Sequence, residues 1–150
     1  MAQDRERDIE AVRRTVERQF AALTWDEGSP ADWDGFVSDF MPEAVLFPAA
    51  RPAAGRSVAE FVSRMKRLSA TTLSSLGEEL RGVDVTVFGN VAVAAAVCAM
   101  TENGTQAGES VEMMLLVKDE GRWRIAAQAW DKAGADNPVP ETLLGASAPD

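Results

Sequence analysis

Two carboxylates, Glu109 and Asp131, stand at matching places near the two ends of the stretch ESVEMMLLVKDEGRWRIAAQAWDK, residues 109–132. The stretch reads as a β-hairpin turning at Asp119–Gly121, with Gly121 in the left-handed conformation that closes a three-residue loop. That loop pairs Val117 with Trp123, Leu115 with Ile125, Met113 with Ala127, Val111 with Ala129 and Glu109 with Asp131. Alternation along the strand then sets Asp131 on the face of Trp123, Ile125, Ala127 and Ala129. A carboxylate at an apolar pocket has its pKa raised by loss of water, and so can act as a general base or acid. Asp131 is therefore the catalytic candidate and Glu109 its weaker, pocket-lining partner. The blander alternative places Asp131 past the strand end, in solvent.

Few other residues offer chemistry. Arg51 and Arg56 flank an irregular loop, where a guanidinium fork can hold an acidic ligand or pair with Asp39 or Glu43. Cys98 lies in an apolar run with no basic neighbour, and reads as a small buried hydrophobe rather than a nucleophile. The chain has no histidine and no tyrosine. That removes histidine acid–base work, the usual zinc and iron ligand sets and phenolic donors to an oxyanion. No metal and no cofactor is expected.

These residues need a frame. With 150 residues the chain fits one well-buried domain. A net charge of −9 offers no basic surface for nucleic acid or for an anionic membrane. The longest apolar run, 91–100, is too short to span a bilayer, and a single cysteine without a leader segment suits the cytoplasm. Ile9, Val12, Val16, Phe20 and Leu23 give residues 4–23 an amphipathic helical pattern. Ser29 and Pro30 open an expected second helix over 30–40, with Trp33, Phe36, Val37 and Phe40 on one side. Residues 44–47 read as a strand, and Ser57 with Glu60 as a capping box before a third helix that buries Met65. Strands over 80–88 and 91–101 meet at Gly89-Asn90, and the opening hairpin completes the meander. Residues 135–150 are rich in Ala, Pro and Gly and read as a loosely held or disordered tail after a single domain of residues 1–134.

Helices first and long antiparallel strands last give an α+β order: a curved, cone-shaped sheet wrapped around three N-terminal helices. One face of the hairpin lines a pocket together with Phe20, Trp33, Phe47, Met65, Met113 and Leu115. The small side chains Ala127 and Ala129 leave volume for a ligand. The other face, with Met114, Leu116, Ala126, Gln128 and Trp130, is too apolar for water and reads as a homodimer seam.

The order and several short motifs resemble the nuclear transport factor 2-like superfamily, within it the SnoaL-like, ketosteroid-isomerase-like group. The matching pieces are Phe20-Ala21-Ala22-Leu23, FVSDFMPEAVLF at 36–47, Gly55-Arg56-Ser57, Val87-Phe88-Gly89-Asn90-Val91-Ala92 and DEGRWRI at 119–125. The resemblance implies a conical (cystatin-like) α+β barrel with a central pocket, dimeric through the outer sheet face. Its isomerase branch places a general-base aspartate before a proline, where this chain has Phe47 in Leu46-Phe47-Pro48. The branch's oxyanion tyrosine matches Gln19 or Phe20, and its second acid falls near Glu112 or Met113. The dehydratase branch relies on histidine. The expected function is a small-molecule pocket protein for an apolar, polyketide- or terpenoid-like ligand, either carrying or sensing it without chemistry or acting on it by carboxylate acid–base chemistry. The alternative is a structural domain acting through its sheet face.

Overall fold

The computed structural model of the protein describes residues 2–145. Helix α1 (Ala2–Ala22) follows the spacing of its apolar residues: Val12, Val16, Phe20 and Leu23 are buried, and Gln19 shares their stripe. Helix α2 (Trp33–Ser38) is shorter than the expected 30–40. Asp32, not Ser29, caps it by accepting from the Gly35 N–H, and Phe40 already belongs to strand β1 (Phe40–Phe47). Strand β2 (Arg56–Ser57) pairs with β1 and runs into α3 (Val58–Ala70), where Ser57 and Glu60 form the capping box in both directions. The meander follows: β3 (Leu76–Phe88), β4 (Val91–Glu102), β5 (Thr105–Asp119) and β6 (Arg122–Lys132).

The six strands form one curved, unclosed sheet in the order β2-β1-β6-β5-β4-β3. Every neighbouring pair is antiparallel except β1 with β6, which is parallel. Helix α1 lies in its hollow, against β3, β4 and β6. Asp8 pins the helix to the hairpin by accepting from the Trp123 indole N–H and the Lys118 ammonium, both at 3.0 Å. Buried Asp39 holds Arg18 at 2.9 Å, and the Arg122 guanidinium, 3.6 Å away, also donates to the Ser38 carbonyl. No helix among the described residues is long and apolar enough to cross a membrane.

Register decides which side chains meet. The hairpin turn has two residues, Glu120 and Gly121, with φ of 50° and 75°, and Asp119 pairs with Arg122. Leu116 faces Ile125, but Leu115 faces Ala127, so Ala126 is an extra residue on β6. Similar bulges sit at Arg81 on β3 and Ala107 on β5. A bulge advances one strand by a residue and swaps its faces, as period-two side chains require.

Two expectations fail on this geometry. The expected dimer residues Met114, Leu116 and Gln128 are buried inside the cone, with Trp130 half-buried beside them. Ala126 is the half-buried bulge residue itself. The expected pocket residues Met113 and Leu115 instead stand on the outer face, more than two-fifths exposed. The shorter turn and the bulge together move the pairing by up to two residues, and β5 turns over. After β6 the chain continues into α4 (Glu141–Gly145), which packs against β3 and β4 with Leu143 buried. Residues 146–150 of the expected tail lie outside the described residues.

Candidate functional site

A cavity of about 280 Å³ opens between α3 and the inner face of the meander. Phe61, Met65 and Leu68 of α3 form one wall. Leu76, Met100 and Trp130 face them from the sheet, with Phe61 edge-on to the Trp130 ring at 5.7 Å. Arg56, Arg64, Glu102 and Lys132 bring charge to the same lining. The remaining polar groups are Gln19 from α1, Glu78 from β3, Ser110 and Glu112 from β5, and Gln128 from β6.

These groups are strung together. The Gln19 amide N–H donates to Gln128 Oε1 at 3.0 Å, and the Gln128 amide donates in a short bond to Glu112 Oε1. Gln19 Oε1 and Ser110 Oγ are buried with no partner among the described residues, so both remain free for a ligand or water. Burial pushes the Glu112 carboxyl up to about 7, against the Gln128 bond that favours its ionised form. Glu78 is raised well above the ordinary carboxylate range, by burial first and then by the neighbouring Glu112 charge. Cys98 lies under the pair, and the same burial, with Glu78 next, pushes its thiol up too. One ligand atom from each of Glu78, Cys98 and Glu112 falls within 4.8 Å of the other two. Two carboxylates this close in an apolar wall share protons rather than ionise together, which suits them to acid–base work.

Of the residues expected to line the pocket, Met65 does so. Phe20, Trp123 and Ile125 are buried in the core beside α1, and Trp33 packs against Trp25. Phe47, paired with Ala129, points outward and is 39% exposed; its neighbours Leu46 and Pro48 line the cavity. Ala127 belongs to an outer-face groove with Val93 and Leu115. Glu109 lies on the outer side, where Arg81 approaches at 4.0 Å. Asp131, the expected catalytic group, is exposed on an outer cleft with Met113 and Ala129, and its carboxylate accepts from the Lys132 N–H. The Ala126 bulge is the reason. Beyond it Gln128, Trp130 and Lys132 turn inward in place of Ala127, Ala129 and Asp131.

The candidate acids are thus not the expected ones: Glu112 lies three residues from Glu109 on β5, and Glu78 comes from β3. Glu78 fell before the expected start of its strand at residue 80, and β3 begins at Leu76. Glu112 carried a visible signal, as the one acid inside the apolar run 111–117. The resemblance offered Gln19 or Phe20 and Glu112 or Met113; in the structure it is Gln19 and Glu112 that are joined, through Gln128.

Residues 26–129 match the model of the SnoaL-like domain family. The chain belongs to this family. Among solved structures, this SnoaL-like chain is similar to a protein of unknown function from Mycobacterium tuberculosis, with TM-score 0.73, 13% identity, and 97% of this chain and 87% of the other covered. A protein from Novosphingobium aromaticivorans, provisionally named a scytalone dehydratase, gives TM-score 0.69 at 11% identity and covers 93% and 94% of the two chains. A nuclear transport factor 2-like protein of unknown function from Pseudomonas putida gives 0.69 at 14%, covering 89% and 93%. At such identities the likeness shows the fold. Among curated proteins the sequence finds no match.

Proposed function

We propose that this SnoaL-like chain binds a small apolar molecule beneath α3 and acts on it with Glu112 as the acid–base group, Glu78 sharing its proton. The observation that carries this reading is a buried carboxylate, tied through Gln128 to Gln19, in a cavity walled on one side by Phe61, Met65 and Leu68. With a pKa of about 7, Glu112 is present in both protonation states near neutrality, where a general acid–base group works best. The cavity is at the small end of ligand pockets, which run from ~300 Å³ upward. A one- or two-ring polyketide- or terpenoid-like molecule suits it, with a hydroxyl or carbonyl toward Gln19 and Ser110. The reaction class is proton transfer at carbon beside a carbonyl, the kind of step an enolisation or a dehydration begins with. The lone buried cysteine suits a reducing cytoplasm.

The test is deuterium uptake from solvent into small cyclic ketones and phenols, with binding followed by native mass spectrometry. Wild type exchanges and Glu112→Gln binds without exchanging. A panel that yields no binder, or exchange that survives in both Glu112→Gln and Glu78→Gln, removes the proposal.

The assembly reading has its own support on the opposite face. Val93, Met113 and Leu115 are 53%, 58% and 46% exposed on neighbouring strands, an apolar patch suited to a twofold homodimer. The two readings are compatible, because they use opposite sides of one sheet.

A further inference from the structure

The acid–base reading leaves Cys98 without work and gives Ser110 only a contact to the ligand. They sit directly opposite each other on β4 and β5, on the inner face, and both are completely buried. Cys98 also pairs with Leu80, two residues from Glu78, and Ser110 is two residues from Glu112. Three adjacent strands therefore aim a carboxylate, a thiol, a hydroxyl and a second carboxylate at one point. Among the described residues neither carboxylate forms an ion pair, and the Ser110 hydroxyl has no partner. A buried hydroxyl left unbonded beside two carboxylates that no side-chain cation pairs marks a place for a cation, since all three groups have lone pairs to offer.

We propose that Glu78, Cys98 and Glu112 form a site for a divalent transition-metal ion, with the Ser110 hydroxyl as a fourth donor and the cavity as its open side. The mixed sulfur and oxygen donor set suits a borderline ion such as Zn²⁺ or Co²⁺ and disfavours Mg²⁺ or Ca²⁺, which prefer oxygen alone. Histidine is absent from the chain, but a thiolate with carboxylates is a complete ligand chemistry without it. Bonds of ~2.0 Å to oxygen and ~2.3 Å to sulfur bring tetrahedral donors to roughly 3.5 Å apart. From a spread within 4.8 Å, glutamate side-chain rotation closes the remaining distance. The ion would displace the thiol proton and the proton shared by the carboxylates, and present a Lewis acid to whatever the cavity holds. An ion there would take the place of the Glu112 proton, so the acid–base reading belongs to the metal-free protein; the inference needs the cavity but not the organic ligand, so each can fail alone.

The probe is Co²⁺ added to the full chain under reducing, chelator-free conditions. The expected result is one bound ion with a thiolate-to-cobalt charge-transfer band in the near ultraviolet, removed by Zn²⁺. Cys98→Ser should lose the band. Glu78→Gln and Glu112→Gln should weaken binding by more than ~100-fold, because even the outer partners of a metal ligand are worth 10–100-fold. Wild type without the band, or Glu112→Gln binding cobalt as tightly as wild type, overturns the site. Wild type alone decides the matter if a variant does not fold. Deuterium exchange without cobalt binding would leave the acid–base reading standing and this one refuted.

Discussion

Glu112→Gln should change how stability depends on pH, and the direction follows from the cavity. In the unfolded chain the carboxyl titrates near its ordinary value of 4.5, and in the folded protein near about 7. The folded state therefore holds the proton more tightly. Its contribution to stability is complete below the unfolded value and is lost as pH rises through the folded one. Moving from 4.5 to about 7 is worth about 3 kcal/mol, since each tenfold change in proton affinity is ~1.4 kcal/mol. Glu78 is raised by the same burial and by the same neighbour, so it adds to the loss at higher pH. Wild type should thus weaken by about 3 kcal/mol or more between pH 5 and pH 8. Glu112→Gln keeps the shape and removes both its own titration and its repulsion of Glu78. Its curve should be flatter over that range, and at pH 8 the variant should be more stable than wild type. Asp8 and Glu60 have lowered values, so their contributions are lost only as pH falls through the ordinary carboxylate range, outside this window. Urea unfolding at constant ionic strength, followed by tryptophan fluorescence, reads the effect. A wild type whose midpoint does not fall from pH 5 to pH 8, or a Glu112→Gln curve parallel to it, would refute the buried-carboxylate argument.

Four further outcomes follow from the same geometry. Asp131→Asn should leave ligand binding and exchange within about twofold of wild type, because that carboxylate is exposed on the outer cleft; a loss as large as that of Glu112→Gln would restore it as the catalytic group. Gln128→Leu leaves Gln19 without its acceptor and Glu112 without its donor, which should cost about 1–3 kcal/mol and raise the Glu112 pKa further in a carboxyl-labelled NMR titration. Met113→Arg should leave folding within about 0.5 kcal/mol and dissociate a sheet-face dimer in sedimentation velocity, whereas Met114→Arg buries a charge in the core and should lose about 3 kcal/mol or more. Asp8→Ala releases Lys118 and the Trp123 indole, and should destabilise by about 1–2 kcal/mol by thermal unfolding while leaving the distant cavity able to bind ligand.

The fold was readable because its signals are long and redundant. The stripe of Val12, Val16, Phe20 and Leu23, the Ser57–Glu60 box and the Gly89-Asn90 turn each appear where residue type alone placed them. Faces were harder to read, because a strand's two sides differ by a single step. Both sides of β5 are apolar, so Met113 and Leu115 look as fit for the interior as Met114 and Leu116 do. Only the turn and the bulge choose between them. Glu120 in the left-handed region is an uncommon choice there, and Ala126 carries no bulge signature, so neither could be seen in residue types. The cavity acids Glu78 and Glu112 come from strands far apart in the chain, and their meeting depends on pairing that no local pattern encodes.

The bulges also explain why one sheet holds both a dry core and a polar cavity. Between the hairpin turns and the bulges, the inner face carries Val83, Val87, Met114, Leu116, Trp123 and Ile125, packed on α1. Past the bulges at Arg81 and Ala126, it carries Glu78 on β3 and Gln128, Trp130 and Lys132 on β6. Had β3 kept its register, Glu79 and Arg81 would point inward instead of Glu78 and Leu80. Had β6 kept its own, Asp131 would replace Lys132 and the alanines would replace Gln128 and Trp130. The Gln19–Gln128–Glu112 string would then have no middle member, and the wall opposite Phe61 would be gone. The extra residues on β3 and β6 therefore do more than bend the sheet. They set where the packed core ends and where the chemistry begins, which is why the reactive end expected of the hairpin lies at the expected end and on the opposite face.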